Sequence, residues 1–118
     1  MITGVVGVTI WTEDLEPMFH FYHDILRLPL HSRHDDFIAF ELGEIRFNIG
    51  LHDRVKGPSQ DPFRFMPHLG VDDIFAEHQW LISQGVEIIR PPEQEHWGGW
   101  ITTIKDPDGN ILQLLQLP

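Results

Sequence analysis

Apolar and polar positions alternate along residues 3–11 (Thr-Gly-Val-Val-Gly-Val-Thr-Ile-Trp), and this β-branched run of period two predicts a strand. The period then changes. Leu15, Met18, Phe19, Tyr22, Ile25 and Leu26 recur at helical spacing and are the expected buried face of a helix. Asp14 precedes them as an N-cap, and Pro17 is tolerated in the first turn. Strand patterning returns at residues 37–40 and Ile45–Leu51, with a hairpin turn at Gly43-Glu44 and a short strand ahead at Leu30–Arg33.

The same order then recurs. Residues 65–71 read as a strand, Asp72 or Asp73 caps a helix running to Gln84, and Gly85 ends it. Residues 86–89 are extended and residues 100–104 form a strand. Asp106-Pro107-Asp108-Gly109-Asn110 makes a tight turn, with Pro107 presetting φ and Asp106 placed to bond the amides ahead of it. Residues 111–115 close the chain as a strand, and there Gln113 is an amide among aliphatic neighbours, costly to bury without a partner. Each half is β-α-β-β-β. Residues 53–62, rich in Gly, Pro and charge, have linker composition. The expectation is α+β, one domain over residues 1–118, with module one at about 1–52, a linker at about 53–64 and module two at about 65–118. Neither module would bury its sheet face alone.

Composition narrows the function classes. The chain has 118 residues, enough for one core, and 42% of them are hydrophobic, as in ordinary globular folds. It has no cysteine, so thiolate metal sites, disulfides and cysteine nucleophiles are excluded. Eighteen acidic residues against eight basic give a formal charge of −10, which makes nucleic acid and anionic membranes poor partners. A neutral or cationic small molecule suits that surface better. No apolar run is long enough to cross a bilayer and no signal-like stretch begins the chain, so a cytoplasmic protein is expected.

Several motifs, in order, now carry a resemblance. Asp14-Leu15, five residues, then Phe21-Tyr22-His23-Asp24-Ile25-Leu26 resembles the DL…FYxDxL signature of the vicinal-oxygen-chelate superfamily. Val71-Asp72-Asp73-Ile74, Gln84-Gly85-Val86-Glu87 and Asp106-Pro107-Asp108-Gly109-Asn110 resemble its later motifs. The superfamily holds glyoxalase I, extradiol dioxygenases, fosfomycin-modifying enzymes and bleomycin-resistance binding proteins. The resemblance covers nearly the whole chain. It implies two modules related by a pseudo-two-fold axis, forming a curved sheet around a cavity. Arg27 departs from the pattern, standing where the family usually ends its helix with glycine, and implies a different helix exit.

Family enzymes place histidine or glutamate metal ligands at four positions facing that cavity. Carried over, these fall on Gly7 (seven residues before Asp14), near Asn48, on Met66 (five before Val71) and on Gln113 (four after Gly109). Glycine offers no ligand, a thioether suits hard metals poorly, and the amides are weak neutral donors. A divalent ion needs carboxylates or neutral imidazoles to offset its dehydration. The family metal and any other cofactor are therefore expected to be absent. A displaced metal site near His68, with His52 and Glu41, is the alternative. His20 and His23, three apart on the first helix, read as a solvated helix edge, and His31 and His34 as part of a polar turn.

Alternation assigns the cavity face to Gly7, Thr9 and Trp11; to Arg46, Asn48 and Gly50; to Met66, His68 and Gly70; and to Ile111, Gln113 and Leu115. His68 reads as a hydrogen-bonding lining group or, since imidazole readily gives and takes protons, a general acid–base catalyst. Glu95-His96-Trp97-Gly98-Gly99-Trp100 reads as a flexible loop whose Trp97 and Trp100 are either packing or an aromatic wall of a ligand cleft. The expected function is metal-independent binding of a small organic molecule, in the manner of the bleomycin-resistance branch. The candidate ligand-binding residues are Thr9, Trp11, Arg46, Asn48, Met66, His68, Trp97, Trp100 and Gln113. The alternatives are a glyoxalase- or dioxygenase-like metalloenzyme using a site near His68, and a structural or regulatory homodimer with a vestigial cavity. A homodimer is the expected assembly in any case.

Overall fold

A computed structural model describes all 118 residues, which divide into two compact units, Met1–Gly57 and Pro58–Pro118. Each unit is one β-α-β-β-β motif with one four-stranded mixed sheet.

In the first unit β1 (Gly7–Thr12) lies parallel to β4 (Ile45–Leu51), and β3 (Phe37–Leu42) and β2 (Leu30–Arg33) follow antiparallel, giving the order β1-β4-β3-β2. The predicted strand at residues 3–11 begins late, at Gly7. Its only sheet neighbour is β4, and Gly7 pairs with Arg46 near the start of β4, so residues 3–5 have no ladder to join. Asp14 caps α1 (Leu15–Phe19), accepting from the Glu16 amide at 3.3 Å.

The helix then widens into π-type bonding over His20–Ile25, with the Leu26 amide donating to Phe21 O at 2.8 Å. Each such turn takes up one extra residue, so the predicted phase slips. Leu15, Met18, Tyr22 and Ile25 are buried as expected, but Phe21 joins them while Phe19 and Leu26 stay half-buried. Burial of side chains of this size stabilises by roughly 1.5–3 kcal/mol apiece. Tyr22 packs on Phe47 with ring centres 5.3 Å apart, and Phe19 stacks near Phe40 at 6.4 Å. Ile38, Phe40, Phe47 and Ile49 thus face the helix, leaving Ala39, Arg46, Asn48 and Gly50 on the other face.

The second unit repeats the plan in the order β5-β8-β7-β6, with β5 (His68–Gly70), β6 (Ile88–Gln94), β7 (Trp100–Lys105) and β8 (Ile111–Gln116). Only three residues of the predicted strand 65–71 pair with β8. Pro67 has no amide to donate, although its carbonyl accepts from the Gln113 amide at 3.0 Å. Asp73 caps α2 (Ile74–Ser83), accepting from the Phe75 and Ala76 amides. Gln116 Oε1 takes the Ile74 amide at 2.8 Å, tying the helix start to β8. The predicted extended stretch at 86–89 runs on to Gln94. Pro91-Pro92 is tolerated there because β6 is an edge strand, and its pairing is broken by register shifts. Leu69, Ile104, Leu112 and Leu114 form the core beneath α2.

Candidate functional site

On the helix-distal face of the first unit, neighbouring strands carry one row of candidate side chains. Thr9 stands in register with Asn48, and Asn48 with Ala39. Asn48 Nδ2 donates to Thr9 Oγ1 at 3.2 Å, while Asn48 Oδ1 is buried with no hydrogen-bond partner. A bare buried acceptor costs about 1–3 kcal/mol. One step along, a Cβ at Gly7 would lie 3.7 Å from Asn48 Nδ2 and 3.0 Å from Arg46 O. Positions 7 and 48 therefore adjoin, as a pair of metal ligands would have to.

At the other end of the row Trp11 stands in register with Gly50. A Cβ on Gly50 would meet the Trp11 ring at 2.5 Å and Phe37 at 2.8 Å, so only glycine admits the indole there. The ring remains 42% exposed and takes the His52 imidazole edge-on at 5.3 Å. Arg46, opposite Glu41, is paired with it at 3.6 Å and exposed.

The second unit has an equivalent row. His68, Gln113 and Thr103 stand in register across β5, β8 and β7. Gln113 Nε2 donates to Thr103 Oγ1 at 3.4 Å, so the amide has its own partner and is half-buried rather than enclosed by aliphatic side chains. Leu112 and Leu114 point to the opposite face. Thr103 was not among the sequence candidates; its pairing with Gln113 through the β7–β8 hairpin was the signal for it. His68 is exposed, and Met66 lies ahead of the strand, outside the ladder.

The tryptophans of the β6–β7 turn part company. Trp100 pairs with Gln116 on the helix-facing side of the sheet and sets its ring against Phe75 of α2, centres 4.9 Å apart. It lies on the face opposite Thr103 and Gln113, so it does not line their surface. The expected flexible loop is a closed turn: the Glu95 amide donates to Gly99 O at 2.8 Å and the Gly98 amide to Glu95 O at 2.9 Å. The Trp97 ring folds over Gly99, where a Cβ would come within 2.1 Å of it. Arg90 bridges Glu93 and Glu95 beside this turn, and those two carboxylates raise the guanidinium pKa.

The metal-ligand positions implied by the resemblance carry poor donors. The first unit offers Gly7 and Asn48, the second Met66 and Gln113, and none supplies an imidazole or carboxylate. That set does not fit a divalent cation. No three His, Asp or Glu side chains converge into a metal-holding group. The displaced set of His68, His52 and Glu41 fails within the first unit alone. Glu41 stands opposite Arg46 and His52 follows β4, so they are about 20 Å apart by strand rise. His52 is engaged elsewhere, its Nδ1 accepting from the Arg54 amide at 3.1 Å. His20 and His23 both bond Asp24, at 2.8 and 2.7 Å, on the exposed flank of the first helix. A polar cavity of about 340 Å³ opens between Leu15, Glu16, Arg33, His34 and Asp35, but Arg33 is committed to Glu16 and to the Phe19 ring.

A family model described as the Glyoxalase/Bleomycin resistance protein/Dioxygenase superfamily matches residues 4–114. No curated protein matches the chain significantly. Among solved structures, a superfamily member from Sphaerobacter thermophilus is 24% identical, with a TM-score of 0.78 and 98% of each chain covered. A protein of unknown function from Agrobacterium tumefaciens is also 24% identical, with a TM-score of 0.80 over 100% of this chain and 97% of that one. A lactoylglutathione lyase from the same organism is 14% identical, with a TM-score of 0.75, covering 98% of this chain and 94% of that one. At these identities the likeness speaks for the fold alone.

Proposed function

The chain belongs to the Glyoxalase/Bleomycin resistance protein/Dioxygenase superfamily, and from that premise we propose that it binds a small organic molecule on the helix-distal face of its sheets without a metal. The observation that carries this reading is the donor set. Gly7 and Asn48 adjoin across β1 and β4, yet one has no side chain and the other offers a neutral amide. The second unit puts the amide of Gln113 where a carboxylate would be needed. What remains suits recognition: in the first unit an exposed indole at Trp11, a hydroxyl at Thr9 and a half-satisfied amide at Asn48, and in the second, taken by itself, an exposed imidazole at His68. Ligand sites are commonly apolar surfaces with a few placed polar groups.

Titration of tryptophan emission with a compound library, with and without EDTA, tests the reading. The expected result is saturable quenching by some compounds, unchanged by chelator and lost in Trp11→Ala. Near-stoichiometric metal in protein purified without chelator, or binding abolished by EDTA, would overturn metal independence and favour the metalloenzyme. Quenching by no compound would favour the vestigial homodimer.

A further inference from the structure

Two features of one sheet face, fixed at a known spacing, restrict what the first unit can hold. At one position Asn48 presents a buried acceptor, Oδ1, to which nothing in the protein donates. Its Nδ2 is already committed to Thr9. Two residues along, the Trp11 ring is held over Gly50 with 42% of the residue exposed. Strand rise separates the two positions by roughly 7 Å. Gly7 withholds a side chain beside the amide: a Cβ there would lie 3.7 Å from Asn48 Nδ2.

Each feature selects a chemistry. The bare Oδ1 calls for an N–H or O–H donor, since a second acceptor would leave both lone pairs unmatched. The indole face favours a planar ring or a cation. The formal charge of −10 works against anions. Resting on the binding reading above, we propose that the first unit's ligand is a planar aromatic molecule carrying a neutral or cationic hydrogen-bond donor on a short linker, long enough for the donor to meet an acceptor roughly 7 Å along the strand from the ring's seat, as in an arylalkylamine. The ring lies on Trp11, and Asn48 turns outward to meet the donor with Oδ1, exchanging its 3.2 Å bond to Thr9 Oγ1 for one to the ligand.

Phenethylamine, phenylacetamide and phenylacetate share a ring and a similar reach but end in a cationic donor, a neutral donor and an anionic acceptor. Calorimetric titration of the full chain with each should give binding for the first two at least tenfold tighter than for phenylacetate. Asn48→Leu should erase that discrimination while leaving weak ring binding, and Trp11→Ala should weaken all three. Asn48→Asp, which keeps an acceptor at the position, should widen the preference for phenethylamine. Phenylacetate binding as tightly as the donors would overturn the proposal, because the amide would then present its NH2 group. Discrimination that survives Asn48→Leu would also overturn it, as would no binding by any of the three. The library titration decides separately whether the protein binds small molecules at all, so a wrong ligand class and a wrong function give different results.

Discussion

Trp11 occupies the space where Gly50 lacks a side chain, its ring within 2.5 Å of where a Cβ would stand. The pair is in register across β1 and β4, so strand pairing delivers the indole to that gap. Gly50→Ala must push aside both Trp11 and Phe37. We expect a loss of about 1–3 kcal/mol, as for other overpacked sites. Tryptophan emission should shift to the red as the indole moves toward water. Urea unfolding and emission spectra check this; wild-type values in both would show that the ring is not seated there.

Arg27 holds φ at +61°, a left-handed conformation that costs a side-chain-bearing residue energy and glycine none. The different helix exit expected from Arg27 does not occur: the residue departs from glycine, but the backbone still makes the left-handed exit that glycine favours at helix ends. Arg27→Gly should be more stable than Arg27→Ala by roughly 0.5–1 kcal/mol, partly offset by unfolded-chain entropy. Both variants lose whatever the guanidinium side chain contacts, and only Arg27→Ala keeps the Cβ. Thermal melts of the two variants side by side test the sign.

Much of this was legible in the sequence where local rules decide, and lost where partners decide. Ile45–Leu51 and Leu30–Arg33 matched their expected bounds because alternation and turn residues frame them. The starts of β1 and β5 did not, since a strand reaches only as far as its neighbour pairs. The faces of Thr9, Asn48, His68 and Gln113 followed from period two. Trp100, left open between packing and a cleft wall, packs on Phe75, because Thr103 pairing with Gln113 across the hairpin puts it on the helix side of the sheet. Phe21 was missed because a π turn changes the helical period without any proline or glycine to announce it.

Asp24 accepts from His23 and His20, and those hydrogen bonds, in that order, hold its carboxyl below the usual value of 3.8. A carboxylate with a depressed folded-state pKa contributes stability above its unfolded pKa and loses it as pH falls through the folded one. The group is exposed, so the effect is small and screened by salt. Wild type should therefore exceed Asp24→Asn in urea midpoint at pH 5, with the gap closing as pH drops below 3.8. A gap that widens on acidification would contradict the assignment.

Asp106 is the anchor of the β7–β8 turn and, through it, of the Thr103–Gln113 pair. Its carboxylate is buried and accepts from the Asp108 amide, the Asn110 amide and Asn110 Nδ2, each at 2.9 Å. The Asp106 amide in turn donates to Asn110 O at 3.0 Å, closing the turn on itself. Asp106→Ala leaves two backbone donors and one side-chain amide to find other partners. Charged acceptors of this kind are worth about 1.5–3 kcal/mol per bond, but the three share one group and do not add. A loss of roughly 2–4 kcal/mol in urea unfolding follows. Asp106→Asn keeps one carbonyl oxygen and should lose about half as much. Because Lys105 pairs with Ile111 directly beside the turn, loosening it should raise amide exchange at Thr103 and Gln113 more than at Phe47 or Ile49 in the other unit. Equal exchange changes in both units would mean that the turn supports global stability alone and does not set the register of the Thr103–Gln113 row.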